Sequence, residues 1–458
     1  MEATDKRMRG IFDKILPDIT PTKEEVQKTI SNVDWVMRRL RNIVPKTVEV
    51  RVTGSISKDT NLRGNSDIDI FMLFPRDTKR EDLVKLGLSY GKRVISRNSG
   101  DIYRIKYAEH PYVQLLIKSR GIEVDIVPAL KIDNIEELAT SVDRTPLHTN
   151  FINSHLSEKQ RNDVRLLKYF LMAHNIYGAE VRISGFSGYL CELLIYYFGS
   201  LEALLESAST FKLPVTLAPR KGYSNDTSLE KRFKHGFVVI DPVDKDRNAA
   251  AGASVESLLR FVISARRFID NPNIKEFYGM KFSSEKVHGL VNKFIKDTGL
   301  KSFLIVAKVP DKSEDIIWPQ LRRESEIITD YASRLGFRVS MSIQWISKEN
   351  GFILIFAPDE RIKSRFLKGP DAFMKTASDN FLHSHRTAFG IAIKEYSLFA
   401  LEANKYETIN EIVRAIIKGN GISKRKEINL KGAKLFINNI PKEYAEDAYS
   451  EIMKRLRI

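Results

Sequence analysis

Two hydrophobic periods organise the first third of the chain. From 23 to 44, Val26, Ile30, Val33, Val36, Leu40 and Ile43 recur at helical spacing with basic residues between them, which predicts an amphipathic helix. The period then falls to two. Residues 50–53 are rich in β-branched side chains and predict a strand that runs into Gly54-Ser55, followed by a short turn or helix. A second strand opens at Asp67 and continues to Phe74. Its alternation sends Ile68 and Ile70 into a core and sets Asp67 and Asp69 together on the other face. Strands follow at 103–107 and 112–118, then a turn at Ser119-Arg120-Gly121 and a returning strand at 122–128. Residues 1–150 are thus expected to form a small α/β head.

Helical patterning returns over 156–177. Val164, Leu167, Phe170, Leu171 and Ile176 make its stripe, and Gly178 stands where a C-cap belongs. A second helix is predicted over 188–205, opened by a turn at Gly185-Phe186-Ser187-Gly188. The polar stretch 220–234 predicts a loop. Ser254 is a suitable N-cap for a helix reaching 269, and Asn271-Pro272-Asn273 ends it. Residues 151–270 therefore predict a helical central domain. Beyond Pro272 the pattern is a strand at 303–309, a helix at 319–335, and a hairpin of 338–346 with 351–357 around Lys348-Glu349-Asn350-Gly351. The expected class is α+β and multidomain, with an α+β region over 271–458. The chain holds no internal repeat and no low-complexity segment.

Composition narrows the partners. A chain of 458 residues, 43% hydrophobic and 29% charged, suits a soluble protein of two to four domains. Its formal net charge of +16 points to an acidic partner, most simply nucleic acid. Residues 271–458 hold 32 Lys+Arg against 23 Asp+Glu, so the excess is concentrated there. Arg361, Lys363, Arg365 and Lys368, then Lys424, Arg425 and Lys426, are the candidate phosphate contacts. The single cysteine, Cys191, excludes a disulfide scaffold or a structural zinc site and suits a reducing cytoplasm. Residues 1–7 lack the apolar core of a signal peptide. The most apolar segment, 188–205, carries Glu192 and Glu202, so it reads as a buried helix, and no membrane partner is expected.

The chemistry lies in the head. Carboxylates two apart on one strand face repel unless a cation sits between them, and the natural cation beside phosphates is Mg²⁺. Gly54-Ser55, a small pair at a strand end with free backbone N–H groups beyond it, suits a triphosphate. Asp125 stands in an apolar alternation where an unpaired charge is costly. Glu123 shares its face, and spacing does not choose between the two. Three carboxylates could hold two Mg²⁺ ions roughly 4 Å apart, one activating an attacking hydroxyl and one steadying leaving pyrophosphate. A Gly-Ser pair alone is commonly a turn, and Asp-x-Asp alone a solvated face. Their conjunction in this order predicts a nucleotidyl-transfer site.

Gly54-Ser55, Asp67-Ile68-Asp69 and Asp125 resemble the nucleotidyltransferase superfamily of DNA polymerase β. Residues 104–112, 141–146, 164–168, 185–194, 241–244 and 247–248 narrow the resemblance to the archaeal (class I) CCA-adding enzymes. It covers residues 45–260, and the rest agrees in length and character. It implies a polymerase β-like head with a mixed sheet, a helical neck and a C-terminal tRNA-binding region. The implied reaction rebuilds the 3′-terminal CCA of tRNA from CTP and ATP with two Mg²⁺ ions. The implied metal ligands are Asp67, Asp69 and Asp125. Asp67 stands where Glu is more frequent. Gly54 and Ser55 would meet the triphosphate, as would Lys58, which stands where Arg is frequent. His148, Lys168 and Tyr177 would line the triphosphate and sugar side, with Lys168 and Tyr177 on or at the end of one helix. Arg247 would face the incoming base. The tRNA would be held by its 3′ end and acceptor stem. Oligomeric state stays open, a homodimer being compatible. The alternatives are a poly(A) polymerase or other template-independent transferase, and an RNA-binding protein with an inactive head.

Overall fold

The computed structural model describes residues 2–64, 67–95, 100–107, 109–219, 222–279, 284–419 and 428–456. The chain divides into two compact units, 1–280 and 281–458.

The first unit opens with α1 (Glu2–Ile19) and α2 (Lys23–Ile43). Thr22 caps α2 through a reciprocal capping box with Glu25. Then come β1 (Glu49–Thr53), α3 (Gly54–Ser57), β2 (Ile68–Phe74), α4 (Arg80–Arg93), β3 (Ile102–Tyr107), β4 (Pro111–Ile117) and β5 (Ile122–Leu130). They form a five-stranded sheet of order β1-β2-β5-β4-β3. It is mixed: β2 and β5 run parallel, and the other pairs are antiparallel. Ile68, Ile70, Val124 and Ile126 are buried beneath it with Val36 and Leu40 of α2. The opposite face at the same strand ends carries the acidic residues.

The unit continues with α5 (Thr145–His155), α6 (Glu158–Ala173), α7 (Gly188–Phe198), α8 (Leu201–Ser209), β6 (Val215–Ala218), β7 (Gly222–Ser224), α9 (Thr227–Phe233), β8 (Phe237–Val239) and α10 (Val255–Asp270). Ser254 caps α10 by accepting from the Ser257 N–H.

Four expectations need correction. Helix α6 stops at Ala173 because Asn175 turns left-handed (φ 57°), so Tyr177 lies beyond the helix, bridged to Phe186. The 188–205 pattern is two helices bent by 90°, because Gly199 is left-handed (φ 81°) and Ser200 caps a new helix. Within 220–234, β7 pairs with β6 and α9 is capped by Asp226, and β6, β7 and β8 make a small sheet. Both elements are too short and polar for periodicity to reveal. Finally, α1 does not join the head: Met8, Phe12, Ile15 and Ile19 pack with Phe170, Phe268 and Phe277 of the central region.

The second unit contains α11 (Ser284–Thr298), β9 (Lys301–Lys308), α12 (Glu314–Arg334), β10 (Met341–Ser347), β11 (Asn350–Ala357), β12 (Ser364–Asp371), α13 (Lys375–Ser384), β13 (Gly390–Lys394), β14 (Ser397–Ala403), α14 (Ile409–Ile417), β15 (Lys434–Ile437) and α15 (Lys442–Leu456). One sheet has the order β10-β11-β9-β15 and the other β12-β14-β13. The predicted hairpin closes through a Lys348-Glu349 turn, with Lys348 left-handed (φ 54°). Ile305, Ile353, Leu321 and Ile412 meet in the core of this unit. Among the described residues no single helix is long and apolar enough to cross a membrane.

Candidate active site

Register builds the acidic face. Asp69 lies directly opposite Asp125 in the parallel β2–β5 ladder and opposite Thr53 in the β1–β2 ladder. Residues paired across a ladder share a face, so the two carboxylates stand side by side. Asp67 sits exposed, one residue before β2. Gly54 is left-handed (φ 71°), and a Cβ there would lie 2.0 Å from Asp69 Oδ2, so the carboxylate rests against bare backbone. Ser55 follows in α3.

The electrostatics suit a cation. Burial, then the charges of Asp125 and Asp67, push Asp69 up to about 6. Burial also raises Asp125, although Gln114 Nε2 donates to its Oδ1 at 3.1 Å. Thr53 Oγ1 is buried beside Asp69 without a hydrogen-bond partner. Among the described residues no three His, Cys, Asp or Glu side chains converge tightly enough to hold a metal by themselves. The facing pair, with Asp67 at the rim, nevertheless presents the hard oxygen donors that a divalent cation between protein and phosphates requires. Glu123 is exposed one register step before Val124, level with Asp67. Of Asp67 and Glu123, it is Asp67 whose charge adds to the rise at Asp69 and Asp125.

A buried basic cluster lies next to this face. Lys58 Nζ bonds Glu192 Oε2 at 2.5 Å, and Thr60 Oγ1 donates to Glu192 Oε1 at 2.6 Å. Lys168 Nζ donates to the Thr60 carbonyl at 2.8 Å and to its hydroxyl at 3.2 Å. Glu192 is fully buried; burial would raise its pKa, but the two lysines outweigh that and lower it. A Cβ on Gly188 would stand 3.5 Å from the Tyr177 hydroxyl and 3.8 Å from Lys168 Nζ. Lys168 and Tyr177 are thus brought together, although by a loop and a helix rather than by one helix. Lys58 is close enough to draw Asp69 downward.

A second carboxylate organises the neighbouring wall. Asp241 Oδ2 receives His148 Nε2 and Arg247 Nη1, both at 2.9 Å. Its Oδ1 accepts from the Tyr189 hydroxyl at 2.8 Å and the Val243 N–H at 2.9 Å. Burial works against this carboxylate, but the hydrogen bonds from His148, Val243 and Tyr189 outweigh it and hold the pKa at about 2. Tyr189 stacks on His148, centroids 3.9 Å apart, and faces the cations of Lys58 and Arg247 at 5.7 and 5.8 Å. Burial lowers the His148 pKa, while the hydrogen bond and charge of Asp241 pull it back up. His148 lies on α5, and the Arg247 side chain keeps 31% exposure, leaving its free edge open to solvent.

Sequence reasoning did not assign Glu192, Thr60, Tyr189 or Asp241. The signal for Glu192 was a charge inside an apolar helix; Asp241 and Tyr189 lay in stretches that carried the resemblance without a role. In the second unit, Lys363 and Lys368 are exposed on or next to β12. Arg361 pairs with Glu407 at 2.6 Å, and Arg365 donates to the Arg334 carbonyl. Lys424, Arg425 and Lys426 lie outside the described residues.

Three family models match the chain. Residues 33–148 match a nucleotidyltransferase domain, 162–278 the second domain of tRNA nucleotidyltransferase, and 298–431 the C-terminal domain of CCA-adding enzyme. A CCA-adding enzyme of Methanocaldococcus jannaschii is 33% identical over 95% of this chain and 97% of its own. Another, from Archaeoglobus fulgidus, is 34% identical over 96% and 98%. One from Sulfurisphaera tokodaii is 34% identical over 88% and 91%. Among solved structures, the Cid1 poly(U) polymerase covers 61% of this chain and 99% of its own at 14% identity and a TM-score of 0.49.

Proposed function

The chain belongs to the CCA-adding enzyme family, and on that premise we propose that the acidic face of β2 and β5 is where a tRNA 3′ end meets CTP or ATP. The protein adds C, C and A to tRNA without a nucleic-acid template, using a divalent metal. The observation that supports this placement best is the direct pairing of Asp69 with Asp125 beside Gly54.

Asp69, Asp125 and Asp67 would hold two Mg²⁺ ions. Bound there, these ions would lower the pKa of the tRNA 3′-hydroxyl and neutralise the departing pyrophosphate. Gly54 and Ser55 lie against the triphosphate, and Lys58 and Lys168 supply positive charge on its flank. His148 and Tyr177 line the sugar side. Arg247, fixed by Asp241, offers donors to the Watson–Crick edge of the incoming base, where C and A carry ring acceptors that U and G protonate. In-line attack of the tRNA hydroxyl on the α-phosphate then releases pyrophosphate.

The test is one tRNA lacking its CCA, incubated with Mg²⁺ and CTP, and then with ATP. Two C residues from CTP alone, followed by a single A, are expected; a long A tail would assign the protein to poly(A) synthesis. Run with UTP in competition, the same assay reads Arg247: Arg247→Ala should incorporate UTP in place of CTP, and intact selection would make the arginine structural.

For the second unit we propose that Arg361, Lys363, Arg365 and Lys368 contact tRNA phosphates, with Lys424, Arg425 and Lys426. Each neutralised phosphate steepens the fall of log affinity with log salt by roughly 0.7 to 0.9. Replacing Lys363, Lys368 and Lys426 with Gln should weaken tRNA binding and flatten that slope by about 2, while CTP binding holds. An unchanged slope would place the tRNA on another face.

A further inference from the structure

One carboxylate in this site touches neither metal face nor solvent. Glu192 is fully buried, and its two oxygens are divided between Lys58 and Thr60. Thr60 in turn presents its hydroxyl and carbonyl to Lys168. Lys168 is 98% buried, and its hydrogen-bond acceptors here are neutral oxygens. Two ammonium groups are therefore buried close together with a single negative charge between them. Without it, at least one lysine would lose its proton or swing out to water.

We infer that Glu192 is a positioning residue for nucleotide binding, holding Lys58 and Lys168 charged and aimed at the triphosphate. The inference rests on the placement of the nucleotide proposed above and adds a residue to it. The geometry is specific. Oε2 fixes Lys58 beneath the Tyr189 ring, and Oε1 orients the Thr60 hydroxyl so that its lone pairs face Lys168. Gly188, at the start of the helix that carries Glu192, leaves Lys168 and Tyr177 room to meet. An arginine has donors to spare for a carboxylate and a phosphate together, whereas a lysine has one compact ammonium whose direction must be set from behind.

The ionisable groups facing Lys168 are Glu192, Lys58, Arg165, Cys191 and Tyr177. Burial pushes the Cys191 thiol up to about 12 and the Tyr177 hydroxyl further, so neither titrates in an ordinary assay. Burial also lowers Lys168, and the Glu192 charge pulls it back up. Losing that charge lowers it further, so the cation disappears as pH rises.

The experiment measures KM and kcat for CTP and ATP at pH 6.5, 7.5 and 8.5 in Glu192→Gln, a substitution of equal size. KM should rise about tenfold for both nucleotides at pH 8.5, as expected for one lost charge-assisted contact. It should return toward the parent value at pH 6.5, with kcat and base selection little changed. The effect is read as the ratio of variant to parent KM at each pH, which cancels any pH dependence of the parent. A KM equal to the parent's, or a rise independent of pH, would overturn the inference and leave Glu192 a packing residue. Glu192→Asp keeps the charge but is too short to span Lys58 and Thr60. It should raise KM severalfold without the pH dependence, and if the Gln variant does not fold, a parent-like KM in Glu192→Asp overturns the inference by itself. Loss of CCA addition in the parent protein would instead reject the underlying assignment of the site.

Discussion

Alanine at Asp69 or at Asp125 is expected to cost on the order of a thousandfold in nucleotide incorporation, because a metal-assisted displacement would draw several kcal/mol from ions that these carboxylates would hold, and each roughly 1.4 kcal/mol is tenfold. The expectation follows from register: the residues face each other across adjacent parallel strands, so neither can be replaced by a neighbour on its own strand. Burial raises both carboxylates, and the charge of Asp125 adds to the rise at Asp69 as repulsion across the shared face. Removing one relieves that repulsion, so both variants should fold at least as well as the parent, and tRNA binding should be kept. Single-turnover incorporation, with tRNA affinity measured in parallel, checks both points. Asp67→Ala should lose comparably and Glu123→Ala little, since Asp67, not Glu123, contributes to raising both partners. Near-parent turnover in Asp125→Ala would move the third ligand, with Glu123 as the place to look.

The strands of the head and its acidic residues were legible because alternation is local: Ile68 and Ile70 point down, which forces Asp67 and Asp69 up. The pairing partner was not local. Which of Glu123 and Asp125 lies opposite Asp69 is set by the register of β5 on β2, between strands far apart in sequence. The helical neck was legible in type and less so in detail. The apolar stripe of 156–177 runs past the true helix end because Ile176 is buried by tertiary packing after the helix has stopped, and Gly199 broke a run that composition alone joined. The small sheet β6–β8 stayed hidden because its strands are only three or four residues long, too short for alternation to show. Lys58, Lys168 and Arg247 were read from resemblance, but Glu192, the carboxylate that holds the lysine cluster, was given no role. A buried acid reveals its purpose only when its partners, here at 58 and 60 in sequence, are assembled around it.

Gly54→Ala should reduce turnover by about a hundredfold while leaving the fold intact. Two penalties arise at this position. The left-handed backbone, φ 71°, disfavours any Cβ by roughly 1–2 kcal/mol. The added methyl would also stand 2.0 Å from Asp69 Oδ2 and 2.9 Å from Asp69 Cγ, far inside contact distance. Asp69 is held on the central part of the sheet between Thr53 and Asp125, so its backbone cannot retreat, and the carboxylate must rotate off the shared face. A displacement of about 1 Å in such a site is enough to cost on the order of a hundredfold. The control is Gly121→Ala, in the β4–β5 turn. That glycine has nearly the same backbone (φ 64°) with nothing within 4 Å of its added methyl, so it isolates the strain from the collision. Both variants should lose a few degrees of thermal stability, but only Gly54→Ala should lose turnover, and at saturating CTP the loss should lie in kcat. Equal turnover in the two variants would mean that Asp69 tolerates displacement, and that the close seat of its carboxylate on Gly54 serves packing rather than chemistry.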